Sequence, residues 1–278
     1  MKLMYLGTAA AEGWPAMYCN CDSCKRAKKA GGKNIRTRSQ ALINQDLLID
    51  YPADTYLHVI QNQLDLSAVR YCLITHSHLD HFVPSELFFH NEYAFAHDMT
   101  EKKMDLYGNR AVEAIYQNCL KVYKNENPHT NITMHVLQAY ETIRLGQYEV
   151  TPLPAKHAEQ EDAFVYLIRD GKSTLLYLHD TGLPGEEMIR WLAANHIQAD
   201  LISYDCTMGI TDSCSVHMGL DEIPGLHRRY VTLGVASEKT IAVINHFSHN
   251  GQLIHDELVP VAEKEGIVTA WDGMTVEF

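Results

Sequence analysis

The segment Thr75-His76-Ser77-His78-Leu79-Asp80-His81 sets three imidazoles and one carboxylate within six residues, directly after the apolar run Val69 to Thr75. A polar surface loop is the ordinary reading of an isolated His-x-His pair, but few structural needs explain all four groups together at the end of a buried strand. Imidazole and carboxylate are the ligands of Zn, Mn and Fe, so the chain is constrained to a fold whose strand ends aim side chains at metal ions. Strand alternation turns His76 and His78 one way, and the turn that follows carries Asp80 and His81 towards a second point.

Three further candidates follow apolar strands: His157 after VTPLPAK, Asp180 after LLYLH and His246 after TIAVIN. Singly, each is an ordinary surface or hydrogen-bonded residue. Together with the first cluster they complete a two-metal set, with Asp180 lending one oxygen to each ion at the ~3.5–4 Å separation of two-metal hydrolases. The adjacent His179 reads as structural. A second cluster, Cys19-Asn20-Cys21-Asp22-Ser23-Cys24, is too tight for an ordinary disulfide framework and suits a tetrahedral structural zinc that needs one more ligand. His249, three residues beyond His246, is the candidate fourth ligand. Cys72, Cys119, Cys206 and Cys214 lack ligand spacing and read as core or incidental residues.

The spacing of apolar residues predicts strands at Lys2 to Leu6, within Ala41 to Ile49, and at Val69 to Thr75, Ile132 to Leu137, Glu149 to Leu153, Phe164 to Arg169, Thr174 to Leu178, Leu201 to Tyr204 and Ile241 to Ile244. It predicts helices over Ala53 to Gln63, Asn109 to Lys124, Pro184 to Asn195, Leu220 to Tyr230 and His255 to Glu265, and a closing hairpin over Val268 to Phe278. With no linker-like run or short-period repeat, the economical reading is one domain over 1–278, a sandwich with outer helices. It carries a Cys-rich, zinc-stapled loop at about 12–38 and a helical and aromatic insertion at about 83–131. The aromatic part, Val83 to Ala96 with Phe88, Phe89, Tyr93 and Phe95, is expected to wall a pocket or form a homodimer contact.

The net charge of −12 argues against a nucleic-acid backbone as partner, although bound cations can supply local positive charge. Lys25, Arg26, Lys28, Lys29 and Lys33 read as solvating the cysteine loop. No stretch approaches the ~18 uncharged apolar residues of a membrane span, and the crowded thiols suit a reducing compartment, so the expectation is a soluble, unprocessed cytoplasmic protein.

THSHLDH, followed in order by His157, Asp180 and His246, resembles the signature of the metallo-β-lactamase superfamily. The resemblance implies an α/β (α+β) architecture, the αββα sandwich of two mixed β-sheets flanked by helices. It further implies one metal on His76, His78 and His157, a second on Asp80, His81 and His246, and Asp180 bridging. Gly7-Thr8 through Pro15, the Cys19/Cys21/Cys24 spacing and the His246/His249 pair resemble the PhnP-type branch, the cyclic phosphodiesterases of phosphonate breakdown. That branch implies hydrolysis of a small phosphodiester, cyclic or linear, by hydroxide activated on two divalent ions (Zn, Mn or Fe), beside one structural Zn. Asp80 and His217 are then the catalytic residues. His217, in SVHMGL, resembles the branch's phosphate-contacting or general-acid histidine, and its place before a helix also offers backbone N–H groups to an anion. The alternatives are RNase Z-like RNA processing, thioester or lactam hydrolysis, and a non-catalytic metal-binding relative, the last disfavoured by the intact ligand set.

Overall fold

Strands here are short and mostly buried on both faces, which is why they read as continuous apolar runs in the sequence. In the computed structural model, which describes residues 1–92, 95–123 and 131–278, they form two seven-stranded sheets. The strands are β1 (Lys2–Gly7), β2 (Gln40–Ile43), β3 (Leu47–Ile49), β4 (Tyr71–Leu73), β5 (Met104–Gly108), β6 (Ile132–Val136), β7 (Ile143–Leu145), β8 (Tyr148–Pro154), β9 (Phe164–Arg169), β10 (Thr174–Leu178), β11 (Leu201–Asp205), β12 (Ile241–Asn245), β13 (Val268–Thr269) and β14 (Met274–Glu277). One sheet runs β14-β1-β2-β3-β4-β5-β6 and the other β13-β12-β11-β10-β9-β8-β7. Flanking helices are α1 (Asp22–Ala30), α2 (Thr55–Asn62), α3 (Arg110–Tyr123), α4 (Glu186–Ala194), α5 (Ile223–Thr232) and α6 (His255–Ala262). This is the metallo-β-lactamase sandwich.

Both sheets share one plan. Antiparallel pairs give way to parallel ones, β3-β4-β5-β6 in the first sheet and β10-β11-β12-β13 in the second. Period-2 alternation sorts the side chains of the first sheet: Ala41, Ile43, Leu47, Ile49 and Leu73 point into the core between the sheets. Their neighbours Leu42, Leu48, Cys72 and Ile74 form a second cluster on the outer face with Val112 and Tyr116 of α3. The carboxyl ends of the parallel strands gather at one edge of the sandwich. Asp50 follows β3, His76 to His81 follow β4, Asp180 follows β10, Asp205 ends β11 and His246 follows β12.

Three features differ from the sequence reading. The closing segment is not a hairpin: β13 pairs parallel to β12 in one sheet, while β14 pairs antiparallel to β1 in the other. The chain crosses between sheets at 270–273, where Ala270 N–H donates to Ile244 C=O (3.0 Å) and Gly273 N–H to Tyr5 C=O (2.7 Å). Local alternation gives strand character but not the identity of the neighbouring strand. The cysteine loop contains α1, whose run DSCKRAKKA is rich in helix formers and whose first turn is capped by Cys21 Sγ accepting from Cys24 N–H. Within 83–131, β5 supplies a strand of the first sheet, paired to β4 and β6, where the sequence reading has only a helical and aromatic insertion; β7 likewise lies outside the strands the apolar spacing predicts. Tyr93 and Lys124 lie outside the described residues.

Candidate functional site

The loop after β4 is built around Asp50, a fully buried carboxylate in the left-handed region (φ 65°). One of its oxygens accepts from Thr75 N–H (2.8 Å) and Thr75 Oγ1 (2.9 Å), and the other stands 2.7 Å from His81 Nδ1. This bond places the His81 proton on Nδ1 and leaves Nε2 free to face the site. The turn closes when the N–H groups of His81 and Phe82 both donate to His78 C=O.

The side chains so aimed meet those of the second sheet in two sets, His76, His78, His157 and Asp180, and Asp80, His81, Asp180 and His246. In the first set, His157 Nε2 lies 3.1 Å from His78 Nδ1 and 3.1 Å from Asp180 Oδ2, which is 3.8 Å from His76 Nε2. In the second, His81 Nε2 lies 3.1 Å from Asp80 Oδ2, 3.6 Å from Asp180 Oδ2 and 3.3 Å from His246 Nε2. A tetrahedral ion with nitrogen ligands at ~2.05 Å has ligand–ligand edges of about 3.3 Å, the middle of these separations. Asp180 Oδ2 belongs to both sets.

The donor chemistry also fits a cation. His76 Nε2 is buried with no hydrogen-bond partner among the described residues, an unsatisfied atom aimed at the shared space. Burial, reinforced by nearby His81, holds the His76 pKa well below the usual imidazole range, so its lone pair is available. Burial pushes the Asp80 and Asp180 carboxyls up, but His81 and His246 outweigh it and hold both below the usual carboxylate range; the carboxylates in turn raise those two imidazoles, so a cation entering the second set would displace their protons. His78 is exposed, which opens the first set to solvent.

His217 is not needed to complete either set, and it joins Asp180, Asp205 and His246 in a third, overlapping group of candidate ligands. Its Nδ1 is 2.8 Å from Asp180 Oδ1 and 3.7 Å from Asp205 Oδ2. Burial opposes its charge, yet the two carboxylates prevail and push its pKa up to about 11. Asp205, fully buried, also accepts from Met218 N–H (3.0 Å) and Thr207 N–H (3.1 Å) and so fixes the backbone that carries His217. The backbone N–H groups expected to greet an anion here are already engaged: Met218 donates to Asp205, Gly219 to Ser213 Oγ and Leu220 to Gly209 C=O. Helix α5 begins only at Ile223, too far along to serve His217. His179 is buried against Ser203 Oγ (2.7 Å), away from the ligand sets.

Asp50 and Asp205 were missed in the sequence. The signal was present, since each ends an apolar strand (LLID, LISYD) just as the candidate ligands Asp180 and His246 follow one.

Cys19, Cys21, Cys24 and His249 converge at a separate point. His249 Nδ1 lies 3.6 Å from Cys19 Sγ and 3.4 Å from Cys21 Sγ, close to the ~3.5 Å sulfur–nitrogen edge of a Zn tetrahedron. Burial raises the Cys21 thiol, but bonds from Ser23, the Cys24 backbone and His249 outweigh it and bring it down to about 5. Burial pushes Cys24 up to about 12. Arg26 pairs with Asp22 and Glu257, and Lys33 lies 3.5 Å over the Trp271 ring, so these basic residues are engaged locally.

The aromatic stretch does wall a cavity, of about 390 Å³, with Tyr51, Phe89, Phe95 and Met99 in its lining. None of the metal-ligand candidates lines it.

The model of the Anti-Pycsar protein Apyc1 family matches residues 36–232, a span that contains every residue of the first set together with His217. The chain belongs to the Apyc1 family. No curated protein matches it. Among solved structures, a diphosphatase of the PhnP family is similar over 100% of this chain and 97% of its own, with 21% identity and a TM-score of 0.75. Zn-bound PqqB from Methylobacterium extorquens is similar over 100% of both chains, with 17% identity and a TM-score of 0.72. The short form of human tRNase Z is similar over 100% of this chain and 99% of its own, with 17% identity and a TM-score of 0.65. At these identities the likenesses establish the metallo-β-lactamase fold of this Apyc1-family chain. Among the described residues, no helix is long and apolar enough to cross a membrane.

Proposed function

We propose that this chain is a binuclear metal-dependent phosphodiesterase acting on a small phosphodiester, cyclic or linear. The observation that carries the reading is the double membership of Asp180: Oδ2 belongs to both ligand sets, while Oδ1 turns to His217. In this reading His76, His78 and His157 hold one divalent cation, Asp80, His81 and His246 hold the other, and Asp180 is common to both. Bound there, a cation pair supplies charge against the phosphoryl oxygens and lowers the pKa of a water molecule.

The chain's own residues do the rest. His217, 2.8 Å from Asp180 Oδ1 and beside the site, is placed to donate a proton to the leaving oxygen or a hydrogen bond to a phosphoryl oxygen when protonated. Asp205 fixes the backbone beside it by accepting from Met218 N–H, and Asp50 fixes the ring of His81. Asp80, ionised and facing the same space, is the carboxylate available to accept the water's proton. The net charge of −12 favours a small diester over a long polyanion. Cys19, Cys21, Cys24 and His249 form a structural zinc site in the same reading.

The test is hydrolysis of an activated phosphodiester in the presence of Mn or Zn, beside the matching monoester, a lactam and a thioester, with metal content measured in parallel. Diester-selective turnover that disappears together with bound metal in His76→Ala is expected. Full metal loading in that variant, or turnover of the lactam or thioester alone, overturns the reading.

A further inference from the structure

His78 and His157 are the two ligands of the first set that lie outside the buried ends of parallel strands. His78 is exposed, and His157 lies in the loop between β8 and β9. Their mutual 3.1 Å approach therefore needs a brace that neither strand end supplies.

Glu161 occupies that position. It is four residues beyond His157, in the same loop, and both of its oxygens turn to Ser77, the residue between His76 and His78. Ser77 N–H is shared between Oε1 (3.2 Å) and Oε2 (3.1 Å), and Ser77 Oγ donates to Oε1 (2.7 Å). Oε2 also accepts from Asn109 Nδ2 (2.6 Å), whose amide reaches Asp162 C=O as well (2.9 Å). Asn109 Oδ1 in turn accepts from Val112 N–H (2.9 Å) in the first turn of α3.

One carboxylate thus joins the His76–His78 segment, the His157 loop and the start of α3. Between His76 and His78, whose side chains join the candidate set, Ser77 directs its backbone and side-chain donors to Glu161 instead. Hydrogen bonds to an ionised acceptor are the stronger kind, so this brace resists sliding of the two loops past each other.

We propose that Glu161 is a positioning residue that sets the His78–His157 spacing and thereby the affinity of the first cation site, resting on the ligand assignment given above. The experiment is titration of the metal-free, full-length protein with Zn against a competing chelator, and with Co for its absorption spectrum. It compares wild type, Glu161→Ala, Glu161→Gln, Ser77→Ala and His78→Ala.

Glu161→Ala should weaken one of the two active-site affinities by about 10–100-fold and alter the Co spectrum of that site, with the other active-site cation and the Cys19/Cys21/Cys24/His249 site retained. Glu161→Gln, which keeps one oxygen for the Ser77 donors, should restore part of the affinity. Ser77→Ala should weaken the same site by less, and tests the brace if Glu161→Ala fails to fold. Equal weakening of all sites, or wild-type affinity throughout while His78→Ala loses one cation, overturns the proposal alone. Wild-type binding of both cations by His78→Ala overturns the ligand assignment and the proposal with it.

Discussion

Gly182 offers a direct test of how finely His217 is placed. It lies two residues beyond Asp180, and its N–H donates to Lys156 C=O (3.0 Å), beside His157. A Cβ added there would sit 2.2 Å from the carbonyl oxygen of Ser215 and 2.7 Å from its carbonyl carbon. The obstacle is backbone, which cannot rotate away as the end of a side chain could. The two segments must part by about 1 Å to reach even a tight contact. Because Ser215 and Val216 lead directly into His217, that displacement is handed to the imidazole and opens its 2.8 Å approach to Asp180 Oδ1. A misplacement of ~1 Å at a reacting group costs on the order of 10²-fold in rate, or about 2.7 kcal/mol of barrier. Gly182→Ala should therefore lower kcat by about 100-fold with saturating metal. The assay is diester turnover beside bound-metal content and thermal stability. Gly185→Ala is the control, because its Cβ meets only Lys156 Cε, at an ordinary 3.7 Å. A Gly182→Ala enzyme with wild-type kcat would refute the placement of His217 as rate-determining.

Two further predictions concern stability. Gly225 lies inside α5 with nothing within 4 Å of an added Cβ and no positive φ; Gly225→Ala should stabilise the protein by about 0.5–1 kcal/mol in chemical denaturation, and a loss would contradict the open space. His58, fully buried between Thr37 Oγ1 (2.7 Å) and Gln40 Oε1 (2.6 Å), has its pKa lowered by burial to about 4 from 6.5. Below pH 6.5 the unfolded chain takes up this proton before the folded one does, so the stability contribution is complete above that pH and is lost as pH falls towards 4. The loss amounts to about 3 kcal/mol, and His58→Gln should remove that part of the pH slope relative to wild type; parallel slopes would show that the imidazole is not held neutral.

Much of the site was legible before any fold was known, because ligand chemistry is a property of residue type and a strand shows its end in the sequence. THSHLDH follows VRYCLI, and Asp180 and His246 follow runs as apolar, so the ligands could be placed at strand ends. The brace residues were not legible. Asp50 reaches His81 because β3 lies beside β4, Asp205 reaches His246 because β11 lies beside β12, and the loop after β11 folds back so that Met218 N–H meets Asp205 next to His217. Neither adjacency is written in local periodicity. The closing segment shows the same boundary, since Val268–Thr269 and Met274–Glu277 each look like strands yet belong to different sheets.

By itself, then, the sequence determined which donor groups exist, that most of them follow apolar strands, and that three cysteines and a histidine are available for a separate cation. The tertiary structure alone decided which atom of Asp180 faces which imidazole, and that Glu161 meets Ser77 across 84 positions of chain. The physical reason is range. Side-chain chemistry and alternation act over a few residues, whereas distances of 3 to 4 Å between groups remote in sequence come only from strand pairing and the packing of one sheet on the other.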